Sequence, residues 1–173
     1  MLVTSDVPME GGGFYSRQSG QANVKGIELD IQGEIAPGLG IVLNYAYTDA
    51  KISKDSDPTV VGNRLPGTAR HIQNTWLNYR IPTGKLAGLK ISAGYQYQVK
   101  RVAGLVYDKQ EYPLADYFRL DAALGYSINR FDINLNVNNL LDKYLYVGGK
   151  SGSYYWWQTE PGRNFRLGLG YRF

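Results

Sequence analysis

Apolar and polar residues alternate with period two along most of this chain, in seven stretches of about 10–12 residues each, a repeat that fits strands and not helices. In residues 163–173, Phe165, Leu167, Leu169, Tyr171 and Phe173 are separated by Asn164, Arg166, Gly168, Gly170 and Arg172. Residues 89–100 are the clearest case: Leu89, Ile91, Ala93, Tyr95, Tyr97 and Val99 alternate with Lys90, Ser92, Gly94, Gln96, Gln98 and Lys100. The same pattern runs through 24–35, 39–49, 117–128 and 131–141. Residues 70–81 keep it less cleanly, because Leu77, Tyr79 and Ile81 share one face while Ile72 and Trp76 fall on the polar one. No stretch has the 3.6-residue period of a helix, so an all-β fold is expected.

The connections alternate as well. Residues 36–38, 82–88 and 129–130 are short links, whereas 51–69, 101–116 and 142–162 are long. An antiparallel meander with its long loops at one end follows, and outer-membrane barrels have that asymmetry. Alternation by itself leaves open whether the apolar face meets lipid or a protein core; the height of the aromatics separates the two. With the short turns at the bottom, Tyr45, Tyr47, Tyr95, Tyr97, Phe118 and Phe165 come near the top of the apolar face. Tyr79, Tyr126, Phe131, Tyr171 and Phe173 come near the bottom, and Leu, Ile and Ala hold the middle. Two aromatic girdles around an aliphatic band are what a bilayer selects. The stretches also match the roughly 9–11 residues that a tilted strand needs to cross the hydrocarbon. A soluble sandwich or lipocalin-like barrel is the competing arrangement.

Composition narrows the function classes. The 173 residues suit one compact unit. With 15 Tyr, 21 Gly and no Cys, disulfide frameworks and thiolate metal sites are excluded. The formal charge of +4 comes from 19 basic and 15 acidic residues spread without like-charge runs, which leaves no nucleic-acid footprint. His71 is the sole histidine, placed here as an exposed loop-end residue, so a hydrolytic nucleophile would lack its base; the chain is not expected to be an enzyme. No His/Asp/Glu cluster has ligand spacing, and no protein-bound metal is expected.

Three stretches go beyond a generic barrel: "NVKGIELDIQGEIAPGLGIVLNYAYTDAKI", "LADYFRLDAALGYSINRFDINLNVNNLLDKYLY" and "EPGRNFRLGLGYRF". In their order and spacing they resemble the C-terminal end of TonB-dependent outer-membrane receptors of the ferric-siderophore type. The resemblance covers 24–173 but only the last third or less of such a receptor. It implies that this chain supplies about seven strands of a larger plugged barrel of about 22 strands. Residues 1–23 would be an external-loop remnant, with "LVTSD" as the stub of a preceding upward strand, and 24–173 the C-terminal barrel strands, without the plug domain. The chain is then expected to be a piece of a receptor that imports a ferric siderophore and does not transport alone. The implied partners are the ferric siderophore, a TonB-type energy-coupling protein reached through an N-terminal part, outer-membrane lipid and the barrel assembly machinery, in a Gram-negative outer membrane. No resident cofactor is implied, because the chelate's own groups hold the iron. Arg166, Gly168, Tyr171 and Phe173 fit the terminal signal read by the assembly machinery, while Phe173 alone also reads as the last ring of the lower girdle. One departure is Gly162, which stands between Pro161 and Arg163 where the family more often has Arg directly after Pro.

Candidate ligand contacts fall in the long loops. Tyr154, Tyr155, Trp156 and Trp157 stand in a row and cannot all share one side of a strand; their rings offer stacking surface to an aromatic or apolar chelate. Arg101, Tyr107 and Tyr112 are candidates to meet an anionic chelate. Glu28, Asp30, Arg119, Asp121, Asp132, Arg166 and Arg172 read as a wet, charge-paired inner wall. Two other classes compete with a receptor: a small eight-stranded outer-membrane barrel with a structural or adhesive role, and a soluble ligand-binding β-barrel. The eight-stranded reading needs residues 1–20 to cross the membrane, which Pro8 and Gly11–Gly13 oppose.

Overall fold

The computed structural model describes residues 2–106, 111–151 and 154–173. Twelve strands follow in chain order: β1 (Leu2–Pro8), β2 (Phe14–Ala36), β3 (Leu39–Lys54), β4 (Ala69–Arg80), β5 (Lys90–Val102), β6 (Gly104–Val106), β7 (Pro113–Leu114), β8 (Tyr117–Ile128), β9 (Phe131–Asn138), β10 (Tyr146–Ser151), β11 (Tyr154–Thr159) and β12 (Asn164–Tyr171). The main sheet runs β1-β2-β3-β4-β5-β8-β9-β12, with β7 added beside β5; β11-β10-β6 form a small second sheet. The path is open, ending on β1 and β12. No α-helix occurs among the described residues, and no helix is long and apolar enough to cross a membrane, which has no bearing on a β-barrel.

Register follows from the alternation, because a one-residue slip would turn every apolar side chain inward. Tyr47, His71 and Val99 lie in one cross-strand row; Tyr45, Gln73, Tyr97 and Phe118 lie in the next on the same face. Further down, Leu77, Ala93, Ala122, Val137 and Phe165 form a single row. Phe165 of the upper girdle is thus in register with Ala93 of the aliphatic band. Rows that descend across the girdles in this way are the stagger that tilted barrel strands require. Ring contacts cluster at both heights, Tyr95–Phe118 at 5.8 Å above and Phe131–Tyr171 at 5.0 Å below.

Burial locates the core in an unusual place for a soluble protein. The buried apolar residues, among them Ala22, Ala50, Ile52, Val102, Tyr117 and Leu145, gather at the end where the long connections fold over. Along the sheet the apolar face is bare, with Ile27 at 69%, Leu167 at 62% and Leu169 at 75% exposure. A soluble barrel turns such a face inward, and monomeric soluble proteins rarely expose an apolar patch of this extent. The opposite face is polar and cross-linked: Asn44 donates to Asp30, Arg172 pairs with Asp132 at 3.2 Å, and Trp76 Nε1 and Ser92 Oγ both donate to Asn78 Oδ1.

One expectation changes, and two long segments prove to be ordered. In the expected external-loop remnant 1–23, β1 pairs with Phe14–Gln21 over the described positions, making a ribbon with its turn at 9–13. That ribbon extends β2 beyond the girdle, so β1 adds no crossing strand at the level of the aliphatic band. His71 is not an exposed loop end; it is half-buried in β4 with its Nδ1 2.9 Å from Tyr45 Oη. The long 142–162 connection holds the β10–β11 hairpin.

Candidate ligand site at the external end

Strand β11 places the four-ring run on an alternating ribbon rather than in a loop. Trp156 and Val147 lie on one face of the hairpin, Tyr155 and Trp157 on the other, as the pairing of Val147 with Gln158 and of Gly149 with Trp156 dictates. Trp157 crosses the backbone at Gly148, where any Cβ would overlap its ring, and meets Tyr146 edge-on at 5.4 Å. Gly148 is therefore needed for the close approach, not for backbone freedom. Tyr154 is the most exposed of the four at 81%.

Under the hairpin lies a cavity of about 400 Å³. Trp156 and Val147 form its roof; Ile72 and Gln98 of the inner wall, with Val102 and Leu114, form much of the remainder. The lining is mostly apolar, with Arg101, Gln98 and Thr68 as its polar residues, a common make-up for small-molecule sites. Ile72 is one of the two residues that broke the alternation of β4. An apolar side chain on the lumen face was the sequence signal of this wall.

Arg101 is one of the residues that line this cavity. The residue is 6% exposed, and its guanidinium donates to the carbonyls of Ala115 and Tyr146 at 3.1 and 3.0 Å and lies 5.4 Å over the Tyr117 ring. It ties β5 to the segment entering β8 and to the start of β10 from within the wall of the cavity. Tyr112 and Tyr155 are brought together, ring centroids 6.3 Å apart. Tyr107 lies outside the described residues.

A second strut is Arg64, which sequence reading did not single out. Its backbone N–H and Nε donate to the two Glu111 carboxylate oxygens at 2.6 and 2.9 Å, and its Nη1 donates to Lys100 O at 2.6 Å. Burial alone pushes the Glu111 carboxyl up. The Arg64 hydrogen bonds and the charges of Arg64 and Arg70 outweigh it and hold the pKa below the usual carboxylate value. The pair fastens the 103–116 connection to the 55–68 connection. Among the described residues no group of three or more His, Cys, Asp or Glu side chains is arranged to hold a metal ion.

The terminal residues Arg166, Gly168, Tyr171 and Phe173 occupy or follow the sheet's last strand. Tyr171 lies tilted against Phe131 and meets Phe173 edge-on at 5.2 Å, which builds the lower aromatic cluster.

A sheet with a bare aliphatic band, two aromatic girdles and a roofed cavity at the long-loop end defines a class of membrane barrel, and comparison with known proteins agrees. The family model described as "TonB dependent receptor-like, beta-barrel" matches residues 1–140, and the chain belongs to that family of outer-membrane receptors. The ferrioxamine B receptor of Salmonella typhimurium is 31% identical over 150 residues, covering 83% of this chain and 21% of its own length. The probable TonB-dependent siderophore receptor PiuA of Acinetobacter baumannii is 30% identical over 166 residues, covering 89% and 21%. The crystal structure of the siderophore receptor PiuA from Acinetobacter baumannii superposes with a TM-score of 0.75 at 24% identity, covering 97% of this chain and 24% of that one. The chain therefore spans about a fifth of the length of these curated relatives.

Proposed function

We propose that this chain is the C-terminal barrel wall of a receptor that imports a ferric siderophore across a Gram-negative outer membrane. The observation that carries the reading is the aromatic hairpin roofing a mainly apolar cavity at the long-loop end of a sheet that belongs to this family. Relatives named as ferrioxamine B, ferrichrome and ferric-pyoverdine receptors support it. The iron travels in the chelate, with no resident cofactor, and Trp156 with its neighbours contacts the organic part. Tyr154, Tyr155, Trp157 and Tyr112 extend the aromatic surface around it. A TonB-type protein supplies the energy through segments other than these strands, the assembly machinery reads Arg166, Gly168, Tyr171 and Phe173, and lipid covers the bare band.

The test is a full-length receptor ending in these strands, expressed in an iron-starved host lacking its own siderophore receptors. Radioiron uptake is followed with hydroxamate, catecholate and carboxylate ferric chelates, with and without the energy-coupling protein. At least one chelate is expected to enter in a coupling-dependent way, and Trp156→Ala to weaken its binding by about tenfold, the effect of losing one stacked ring of about 1–1.5 kcal/mol. Uptake of none, or an unchanged affinity for Trp156→Ala, overturns the reading.

A further inference from the structure

The cavity's roof is a hairpin, and a hairpin of two short strands is not rigid by itself. Its feet, at Leu145–Tyr146 and Thr159–Glu160, rest on a polar cluster at the top of β8. Both Glu160 carboxylate oxygens accept from Tyr117 Oη at 3.0 Å, and one also accepts from Arg119 Nη1 at 3.1 Å. Arg119 is shared, because its Nε donates to Asp121 Oδ2 at 3.0 Å. Asp121 in turn accepts from the Asn139 backbone N–H at 2.8 Å.

Asn139 is 1% exposed, the most deeply buried polar residue described. Its side-chain amide donates to Lys143 O at 2.8 Å and Pro161 O at 3.4 Å, and its carbonyl oxygen accepts from Lys143 N–H at 3.0 Å. It thereby joins the segment entering the hairpin to the segment leaving it. The Glu160 N–H closes the base on Leu145 O at 2.9 Å. Polar groups buried this deeply persist only when fully paired, and a network of charged members is stiff when satisfied and costly when one is lost.

We propose that Glu160, Arg119 and Asn139 are positioning residues that latch the β10–β11 hairpin over the cavity, setting ligand affinity without touching the ligand. This rests on the transport reading for what the cavity receives, but the latch itself is read without ligand. Arg119 and Asp121 belong to the inner wall, so the latch also links the lumen to the external roof.

The experiment uses the sequence's lack of cysteine. Ala69 lines the cavity and is 9% exposed. In a full-length receptor carrying Ala69→Cys, the rate of labelling by a membrane-impermeant maleimide on intact cells reports how well the roof is closed. Glu160→Ala is expected to raise the rate about tenfold, the effect of losing charge-assisted hydrogen bonds. Glu160→Gln keeps an acceptor for Tyr117 and Arg119 and is expected to restore most of the protection. Asp132→Ala, which breaks the Arg172 pair at the opposite end, serves as the control and should leave the rate unchanged. If Glu160→Ala does not assemble, Tyr117→Phe removes one donor only and is expected to raise the rate about threefold, in line with a single hydrogen bond. A wild-type rate in whichever of Glu160→Ala and Tyr117→Phe is assembled, or an equal rise with Asp132→Ala, overturns the latch. Absence of chelate uptake would remove the transport reading and leave this result standing.

Discussion

Gly94 gives the sharpest test of how the inner wall is packed. Period two puts it on the lumen side of β5, where a water-lined wall would tolerate a larger side chain. The structure refuses that. Gly94 lies opposite Trp76 in β4, is buried, and a Cβ there would overlap the indole at Cε3 and stand 2.6 Å from the Thr75 carbonyl oxygen. Gly94→Ala must therefore push the ring aside, and forcing a methyl into a packed site costs about 1–3 kcal/mol. The moved indole also loses its 2.7 Å hydrogen bond to Asn78 Oδ1, a further net cost of about 0.5–1.5 kcal/mol. Together the two reach about 2–4 kcal/mol. Removing the ring first, in Trp76→Ala, should make Gly94→Ala cheaper by about 1–2 kcal/mol, with the Thr75 carbonyl contact as the remainder. Urea titration of a receptor barrel bearing these strands, with the folded fraction read by heat-modifiable gel migration, measures all four corners of this cycle. A Gly94→Ala cost within about 0.5 kcal/mol of zero, or strict additivity with Trp76→Ala, refutes the packing argument.

Three further expectations follow from the two faces and the external struts. Ala93→Arg, one residue from Gly94 but in the lipid-facing row, should cost about 2–4 kcal/mol in the same titration, whereas Gln96→Arg on the inner face should cost less; equal costs would contradict the alternation. The Glu111 carboxyl has a folded pKa below its unfolded one, so its contribution is present above the unfolded value and is lost as pH falls through the folded one. Hydrogen exchange in peptides spanning 100–116, normalised for intrinsic rate, should stay flat from neutral pH to the ordinary carboxylate range, rise in stronger acid, and be raised at all pH values by Arg64→Ala; a rise near neutrality would contradict the strut. The 173-residue chain by itself leaves backbone edges open on β12 and, beyond the part paired with β1, on β2, and unpaired edges are costly in lipid, so refolding into detergent should give edge-paired or aggregated species; a monodisperse heat-resistant monomer would refute this.

The alternation of residues such as Leu89–Lys100 determined the strand class, the inward and outward faces and, through aromatic heights, the bilayer reading, because side-chain direction in a strand is a local property with a fixed period. Tyr117–Ile128 coincides with its expected bounds and β4, β5, β9 and β12 begin and end within a few residues of theirs, whereas β2 already starts at Phe14 and β3 runs on to Lys54. The three quoted stretches likewise sufficed to place the family. Local pattern could not say that residues 14–23 continue β2, since their pairing depends on β1 across a glycine turn. Nor could it show that Tyr154–Trp157 is a strand, because β11 is held by β10 and β10 by β6, some forty residues away in sequence. Residue type made Arg101 a candidate ligand contact, and only the fold set it in the cavity wall and brought the Ala115 and Tyr146 carbonyls to it. The cavity beneath Trp156 and the latch at Asn139 and Glu160 exist only once three external connections pack together. Such sites depend on contacts between distant segments, which the order of residues along one strand does not contain.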